Sequence, residues 1–212
     1  AWASDVANFV NLGFSTDSAT FMFAQYGIRS DSSKPFAEIF AVDVARNEFV
    51  RSGVQRRVFD TPVTPGQSGS GALYALLPTV SDLIESHHID HLRTGRLVYL
   101  LVNGEEPRTE LSFRDFGTGN RYEINLRQSR RGEGENLSAA FHIQVSATLA
   151  DGSIKAYTVG LPNFFREGIG TYRIKQIILG PDERSLVFVM EMLMPVERGN
   201  RIRYMVETVK ID

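Results

Sequence analysis

Four short runs near the start of the chain alternate apolar and polar residues with a period of two. They are Phe9–Gly13, Thr20–Tyr26, Phe36–Asp43 and Glu48–Gly53, and turn-forming residues separate them. Side chains of a β-strand point alternately to opposite faces, so this period indicates strands. Because the links are too short to cross over a sheet, adjacent strands should pair as hairpins in a four-stranded antiparallel meander.

The third run indicates that this sheet is covered on both of its faces. Within Phe36–Val44, Phe36 and Phe40 would point to one face and Ile39 to the other. Both faces of the strand are therefore mostly apolar. A sheet that is apolar on both sides needs a packed layer against each of them.

From Ala72 to Leu92 the spacing of apolar residues changes to three and four. Such a stripe predicts a helical element that packs through one face. Pro78 would break the interior of a helix, so we predict two short helices that meet there, or a second helix that Pro78 opens. The proline- and glycine-rich stretch 60–71 before it is predicted to be a connector. The apolar positions of the stripe are Leu73, Leu76, Leu77, Val80, Leu83 and Ile84.

The β pattern returns after Gly95. In Arg121–Gln128 the apolar Ile124 lies between Glu123 and Asn125, which predicts a half-exposed strand. Pro162–Gly170, with two adjacent phenylalanines, is interpreted as a loop. The predicted strands are Arg96–Val102, Thr109–Phe116, Arg121–Gln128, Leu137–Leu149, Ser153–Gly160, Tyr172–Leu179, Ser185–Met194 and Arg201–Val209.

These elements predict a mainly β fold of antiparallel meanders with one helical insertion at about 72–92. The arrangement is either propeller-like or a two-sheet sandwich or barrel. With the insertion set aside, 212 residues leave room for about four blades of a propeller. We predict a single domain with four parts: a blade-like meander at 7–57, a connector and helical insertion at 58–95, β hairpins at 96–160, and a second blade-like meander at 170–212.

Two stretches of sequence carry a resemblance to known families. Leu12–Phe23 reads LGFSTDSATFMF, and Ile177–Phe188 reads IILGPDERSLVF. Each resembles the core of TolB-type (WD40-like) β-propeller repeats, with Ser18 in place of the usual glycine in the first copy. The N-terminal quarter also resembles a family of bacterial predicted secreted proteins of unknown function. The resemblance implies propeller-like meanders in which Asp17 and Asp182 stabilise turns through bonds to the backbone.

Composition narrows the class of protein. The net charge of −2 gives no basic surface for nucleic acid. The absence of cysteine excludes disulfides and thiolate chemistry. No apolar run approaches the roughly 18 residues of a transmembrane segment. Ala1-Trp2-Ala3 fits the small-x-small pattern of a signal-peptide cleavage site, so together with the resemblance we predict a secreted or periplasmic protein.

The densest cluster of metal-ligand residues lies at the end of the predicted helix. On a helix, His87 and His91 are four positions apart, a spacing that lets two imidazoles face one zinc ion. Glu85 or Asp90 would be further donors, and His88 lies beside them. The alternative is a polar helix end, where histidines interact favourably with the helix dipole. Since no third ligand is identifiable, we predict no cofactor, with zinc as the alternative.

Aromatic residues provide the other candidate site. Phe164 and Phe165, followed by Arg166, are typical of an anchor for a partner or ligand. Tyr26 lies at the end of the second strand, where binding loops collect. We therefore predict a non-enzymatic binding protein that recognises a protein or cell-envelope partner through loops at one end of its sheets. The alternative is a hydrolase or metal-assisted enzyme that uses His87, His88 and His91.

Overall fold

The computed structural model describes residues 5–64, 66–197 and 199–211. Within these residues, thirteen strands form three antiparallel sheets. The predicted mainly β class, built from antiparallel meanders with one helical insertion, is confirmed, and the number of sheets is three. The outermost strands of each sheet do not pair with one another, so the sheets are open and form no barrel. The cleavage-site residues Ala1–Ala3 lie outside the described residues.

The first sheet has the strand order β4-β3-β2-β1-β5. Its first four strands form the predicted meander, and β4 runs five residues beyond the predicted end at Gly53. The last strand, β5, reaches β1 beside Gly13, where φ is +101° and a Cβ atom would collide with the carbonyl oxygen of Asp90. Only glycine permits this close approach. The strands are β1 Asn8–Ser15, β2 Thr20–Ile28, β3 Pro35–Asp43, β4 Glu48–Val58 and β5 Ile89–Asp90.

The central sheet has the strand order β13-β12-β11-β6. A short segment before β1 runs beside β13, because Val6 forms a parallel bridge with Ile202 and the Ala7 amide donates to the Ile202 carbonyl over 3.1 Å. This segment covers the outer edge of the sheet. The strands are β6 Arg96–Leu100, β11 Thr171–Leu179, β12 Ser185–Val196 and β13 Gly199–Lys210.

The outer sheet has the strand order β10-β9-β8-β7. The predicted loop at Pro162–Gly170 is wrong in its first part, because β10 continues to Glu167. Between Leu161 and Arg166 the register with β9 shifts. The loop was indicated by the proline and glycines of this segment, but a bulge allows a strand to contain proline. The strands are β7 Glu110–Arg114, β8 Arg121–Arg131, β9 Ser138–Thr148 and β10 Ile154–Glu167.

The three sheets are stacked, and successive residues of the central sheet alternate between two cores. Val187 and Val189 of β12 pack against phenylalanines of the first sheet. Leu186 and Phe188 pack instead against the outer sheet, in a core that also contains Phe141. Because both faces of the central sheet are buried, β12 is apolar along nearly its whole length. The propeller-like arrangement stays a prediction.

The helical segment covers the other face of the first sheet. It comprises α1 at Gly71–Leu76, a 3₁₀ turn at Leu77–Val80 and α2 at Ser81–Ser86. Pro78 lies in the first turn of the 3₁₀ helix, so two short helices meet there, as the sequence predicted. The segment ends earlier than the predicted Leu92, because β5 pairs with β1.

Two turns share the chemistry implied by the resemblance. The Asp17 carboxylate accepts hydrogen bonds from the Ser15 hydroxyl over 2.6 Å and from the Ala19 amide over 3.0 Å. These bonds lower the pKa of Asp17. Asp182 accepts in the same way from the hydroxyl of Ser185 over 2.7 Å and from the backbone amides of Arg184 and Ser185 over 3.1 and 3.0 Å. The predicted role of both aspartates as turn stabilisers is confirmed, whereas their membership of TolB-type repeats stays a prediction.

Candidate functional site

A groove of about 640 Å³ crosses the exposed face of the outer sheet. It runs across the strands, between two rows of residues that strand pairing holds in register. Because residues two apart on a strand are separated by about 7 Å, the rows form two parallel walls at that distance. One wall is Ser112, Glu123, Ser146 and Ala156, and the other is Glu110, Asn125, Gln144 and Thr158.

The floor of the groove is the row of residues between the walls. Leu111, Ile124 and Val145 belong to this row, and they are buried in the core between the outer and central sheets. Their side chains therefore point away from the groove and leave the strand backbone as its base. Since every wall residue stands on a strand of a packed sheet, the polar groups are held on a rigid support.

Hydrogen-bond acceptors dominate the end of the groove at β7 and β8. The Asn125 amide nitrogen donates to a Glu110 carboxylate oxygen over 3.4 Å. The amide oxygen of Asn125 is shielded from solvent and has no hydrogen-bond partner among the described residues. An unpaired acceptor of this kind costs about 1–3 kcal/mol. The groups that would accept hydrogen bonds from a ligand are the exposed carboxylates of Glu110 and Glu123.

Positive side chains border the groove without lining it. Arg114 pairs with Arg121 in the cross-strand row beyond Ser112 and Glu123. On the other side, Arg127 pairs with His142 in the row beyond Asn125 and Gln144. The charged residues of the lining are the two carboxylates, Glu110 and Glu123. The groove is thus acidic and neutral-polar inside, with cationic rows outside its walls.

The predicted aromatic anchor lies in the bulge of β10. Phe164 is 53% exposed. Phe165 is half-buried, and the guanidinium carbon of Arg131 lies 3.7 Å from the centre of its ring. This cation–π contact covers one face of Phe165. Of the two phenylalanines, Phe164 is the more exposed, and the Arg166 guanidinium carbon lies 4.9 Å from the centre of its ring.

The third predicted anchor residue, Arg166, is half-buried. Its guanidinium carbon lies 5.8 Å from the centre of the Phe141 ring, and its Nη1 is buried without a hydrogen-bond partner among the described residues. Burial raises the pKa of Glu207, and the Asn47 hydrogen bond and the positive charge of Arg166 oppose that shift only in part. Burial likewise raises the pKa of Tyr172, although the hydrogen bond from Arg166 and its positive charge act to lower that pKa. Arg166 therefore belongs to a buried polar cluster.

Tyr26 is far from this anchor in the fold. It pairs with Asn8 and Ala37 in the first sheet and packs against the core beneath the helical segment. Phe164 belongs to the outer sheet, and the central sheet lies between the two. The structure does not bring Tyr26 together with Phe164, Phe165 and Arg166.

The helical arrangement assumed for a zinc site is wrong. The helix ends at Ser86, and His88 has φ +50°, so His87 and His91 do not share a helix face. The Nδ1 atom of His87 lies 3.4 Å from the Thr20 hydroxyl, and that of His91 lies 2.6 Å from the Leu12 carbonyl oxygen. Among residues 5–64, 66–197 and 199–211, no group of three or more His, Asp or Glu side chains is arranged to hold a metal ion. Zinc stays a prediction without its geometric support.

Sequence reasoning did not identify the groove. Its walls take residues from four strands, and no two wall residues on one strand are adjacent, so no local motif marks the site. One signal was present, since the alternation in Arg121–Gln128 correctly predicts that Glu123 and Asn125 share an exposed face. The partners of these residues on β7, β9 and β10 depend on strand register, which sequence alone does not provide.

Fold and groove together define a mainly β protein of three stacked sheets with a polar concave face. A protein-family model matches residues 22–210, and its description is predicted secreted protein (DUF2259). The match covers most of the chain, and the chain belongs to this family. The secreted location predicted from the sequence is confirmed at the level of that description.

No curated protein matches the chain. Among the helices of the described residues, none has both the length and the apolar character needed to cross a membrane.

Proposed function

We propose that this protein is a non-enzymatic binding protein that holds a glycan of the cell envelope in the groove of the outer sheet. The observation that carries the proposal is the acceptor-rich end of the groove, where the exposed carboxylates of Glu110 and Glu123 line the walls. A sugar hydroxyl can donate to these carboxylates. Hydrogen bonds to an ionised acceptor are stronger than those between neutral groups.

The neutral part of the groove supports a polyhydroxylated ligand. Gln144, Ser146 and Thr158 each offer both a donor and an acceptor, which matches the dual character of a hydroxyl group. A basic peptide would need acidic groups along the whole groove, whereas the carboxylates of the lining lie on β7 and β8 alone. The groove also crosses all four strands, so an extended chain of sugars fits better than a compact ligand.

A secreted location places such a groove where envelope polysaccharides are found. The family description supports this setting. The aromatic anchor predicted from sequence supports a protein partner less well, because Arg166 and Phe165 are occupied by contacts within the chain. Phe164 is exposed at one edge of the sheet, but the Arg166 guanidinium carbon lies 4.9 Å from the centre of its ring.

The test is a nuclear magnetic resonance titration of the ¹⁵N-labelled protein with tetramers of N-acetylglucosamine and of glucose. We expect saturable shifts of the backbone amides of Ile124 and Val145. Because the groove offers hydrogen bonds without stacked rings, we expect Kd on the order of 1 mM. The double substitution Glu123→Gln with Asn125→Ala should raise Kd at least tenfold, since it removes a carboxylate and a polar amide from the walls of the groove.

The matched control is Glu135→Gln, which removes a carboxylate from the short 3₁₀ turn at 134–136, outside the groove. This change should leave Kd unaltered. Two results would contradict the proposal. One is the absence of any saturable shift with the glycans. The other is tighter binding of a tetra-arginine peptide than of the glycans in the groove, because that result would indicate a basic protein partner.

A further inference from the structure

A second cleft, of about 250 Å³, opens between the first and central sheets and is rich in arginine. Its cationic residues come from three places in the chain: the end of β2, strand β4, and strand β13. Phe36 and Met194 supply an apolar wall, and among the described residues Glu38 is the one acidic residue of the lining. The arginines are Arg29, Arg56, Arg57, Arg201 and Arg203.

A buried carboxylate fixes the two arginines of β13. The Asp5 side chain is 1% exposed and accepts from Arg201 Nε over 2.9 Å and from Arg203 Nη2 over 2.6 Å. Arg203 also lies with its guanidinium carbon 4.3 Å from the centre of the Phe36 ring. Arg201 uses only Nε in this contact, so with respect to the described residues its two terminal nitrogens keep their donors for a ligand.

The arginines on the side of the first sheet also use only part of each guanidinium in contacts within the chain. Arg56 Nε lies 3.4 Å from a Glu38 oxygen, and its guanidinium carbon lies 5.3 Å from the centre of the Phe40 ring. Arg29 Nη2 lies 3.1 Å from Asp31. A guanidinium carries five N–H donors in a planar fork, so each of these contacts leaves donors unused.

The net charge of this cleft is opposite in sign to the net charge of the whole chain. Four guanidiniums, those of Arg29, Arg56, Arg201 and Arg203, face three carboxylates, those of Asp5, Asp31 and Glu38, while the Arg57 guanidinium lies over Phe59 on the other face of the sheet. The excess is positive, although the chain carries a net charge of −2. A concentrated positive field in a concave site attracts anions.

We infer that this cleft binds the phosphate group of a ligand. Guanidiniums that approach from three elements suit a tetrahedral oxyanion with several acceptor oxygens, whereas one fork is enough for a planar carboxylate. The apolar wall at Phe36 and Met194 leaves room for the group that carries the phosphate. The carrier is a phosphorylated lipid or a soluble phosphate monoester, and both present the same chemistry to the cleft.

The experiment measures binding of phenyl phosphate to the full chain by calorimetry, with benzoate as the planar carboxylate for comparison. Phenyl phosphate should bind at least tenfold more tightly than benzoate. Arg56→Gln should raise the Kd for phenyl phosphate at least fivefold. Arg201→Lys, which keeps the charge and removes the fork, should do the same. The Arg56 side chain is 61% exposed, so its substitution tests the site without disturbing the core.

The matched control is Arg51→Gln, an exposed arginine of the same strand that does not line the cleft. It should leave the Kd unchanged. Equal affinity for phenyl phosphate and benzoate, or equal weakening by Arg51→Gln and Arg56→Gln, overturns the inference. Co-sedimentation with phosphatidic acid vesicles, compared with phosphatidylcholine vesicles, then identifies the carrier. Vesicle binding that Arg56→Gln abolishes indicates a lipid, binding of phenyl phosphate alone indicates a soluble ester, and failure of both probes overturns the inference.

Discussion

Glu207 is a buried carboxyl group on β13, 5% exposed, whose partners do not fully compensate its burial. The Asn47 amide donates to it, and the charge of Arg166 favours its ionised form, but desolvation is the larger effect and the pKa is raised. In the unfolded chain the same group has its ordinary, lower pKa. The folded state therefore favours the protonated form.

The sign of the pH dependence follows from this raised pKa. The stability that Glu207 contributes is fully present below the unfolded pKa and is lost as pH rises through the higher folded pKa. Glu207→Gln keeps an oxygen for the Asn47 amide and removes the buried charge. We expect the variant to have a higher free energy of unfolding than the natural protein at pH 7, and the difference to shrink toward pH 4. Urea denaturation at both pH values measures it, and a variant that is less stable at pH 7 would contradict the assignment.

Glu183 occupies a left-handed backbone position, with φ +57°, in the turn after β11. A residue with a Cβ atom is strained there by about 1–2 kcal/mol, whereas glycine is not. Glu183→Gly should therefore raise the free energy of unfolding by about 0.5–1 kcal/mol, after the entropy cost of glycine in the unfolded chain is subtracted. Its contact with Arg96, at 3.8 Å, is partly exposed and contributes little.

The matched control for this change is Glu135→Gly. Glu135 is also exposed, but it does not have a positive φ. The control should be neutral or destabilising. Thermal denaturation of both variants gives the comparison, and equal effects of the two glycines would show that relief of strain at Glu183 is not the cause.

At the scale of elements, the packing of the helical segment on the first sheet depends on a narrow stripe of apolar side chains. Leu73 is 7% exposed against the first sheet, whereas the next residue, Tyr74, is 70% exposed. Leu73→Ala should lower the free energy of unfolding by about 2–4 kcal/mol, because it removes buried methyl groups and leaves a cavity. Tyr74→Ala, one position away on the same helix, should change it by less than about 0.5 kcal/mol. Chemical denaturation separates the two, and similar losses would mean that the segment does not pack as described.

The elements also show how far the sequence predicts this fold. Strands with an uninterrupted period of two, such as β2 and β3, were predicted within two residues of their observed ends. The pattern failed where a long-range contact determines the structure. The helical segment ends at Ser86 because β5 pairs with β1, and β10 continues through its bulge because β9 holds it. Neither partner is visible in the local sequence.

At the scale of the whole molecule, the order of the sheets is not determined by adjacent segments. Strand β6 follows the helical segment and β5 in the sequence, and it pairs with β11. The four strands of the outer sheet therefore lie between β6 and β11 in the sequence, although β6 and β11 are neighbours in the central sheet. Pairing between distant segments of this kind is invisible to local periodicity. This explains why the sequence predicted two sheets or a propeller and gave no indication of the groove, whose walls require the completed outer sheet.

The shared central sheet should make the molecule unfold as one unit, in agreement with the single domain predicted from the sequence. Phe21 and Phe141 are each at most 1% exposed, and they belong to the cores on opposite sides of the central sheet. Because each core includes residues of β12, the loss of one core removes the support of the other. Phe21→Ala and Phe141→Ala should each lower the free energy of unfolding by about 3–5 kcal/mol in a single transition.

Urea denaturation followed by far-ultraviolet and near-ultraviolet circular dichroism tests this expectation, since the two signals should change together in both variants. Phe116→Ala is the control, because Phe116 is 89% exposed and its loss should change the free energy by less than about 0.5 kcal/mol. If Phe21→Ala instead produced an early transition that left the outer sheet folded, the two cores would be separable. The outer sheet and its groove would then form a unit that is stable without the first sheet, which the alternation of Leu186, Val187, Phe188 and Val189 between the cores argues against.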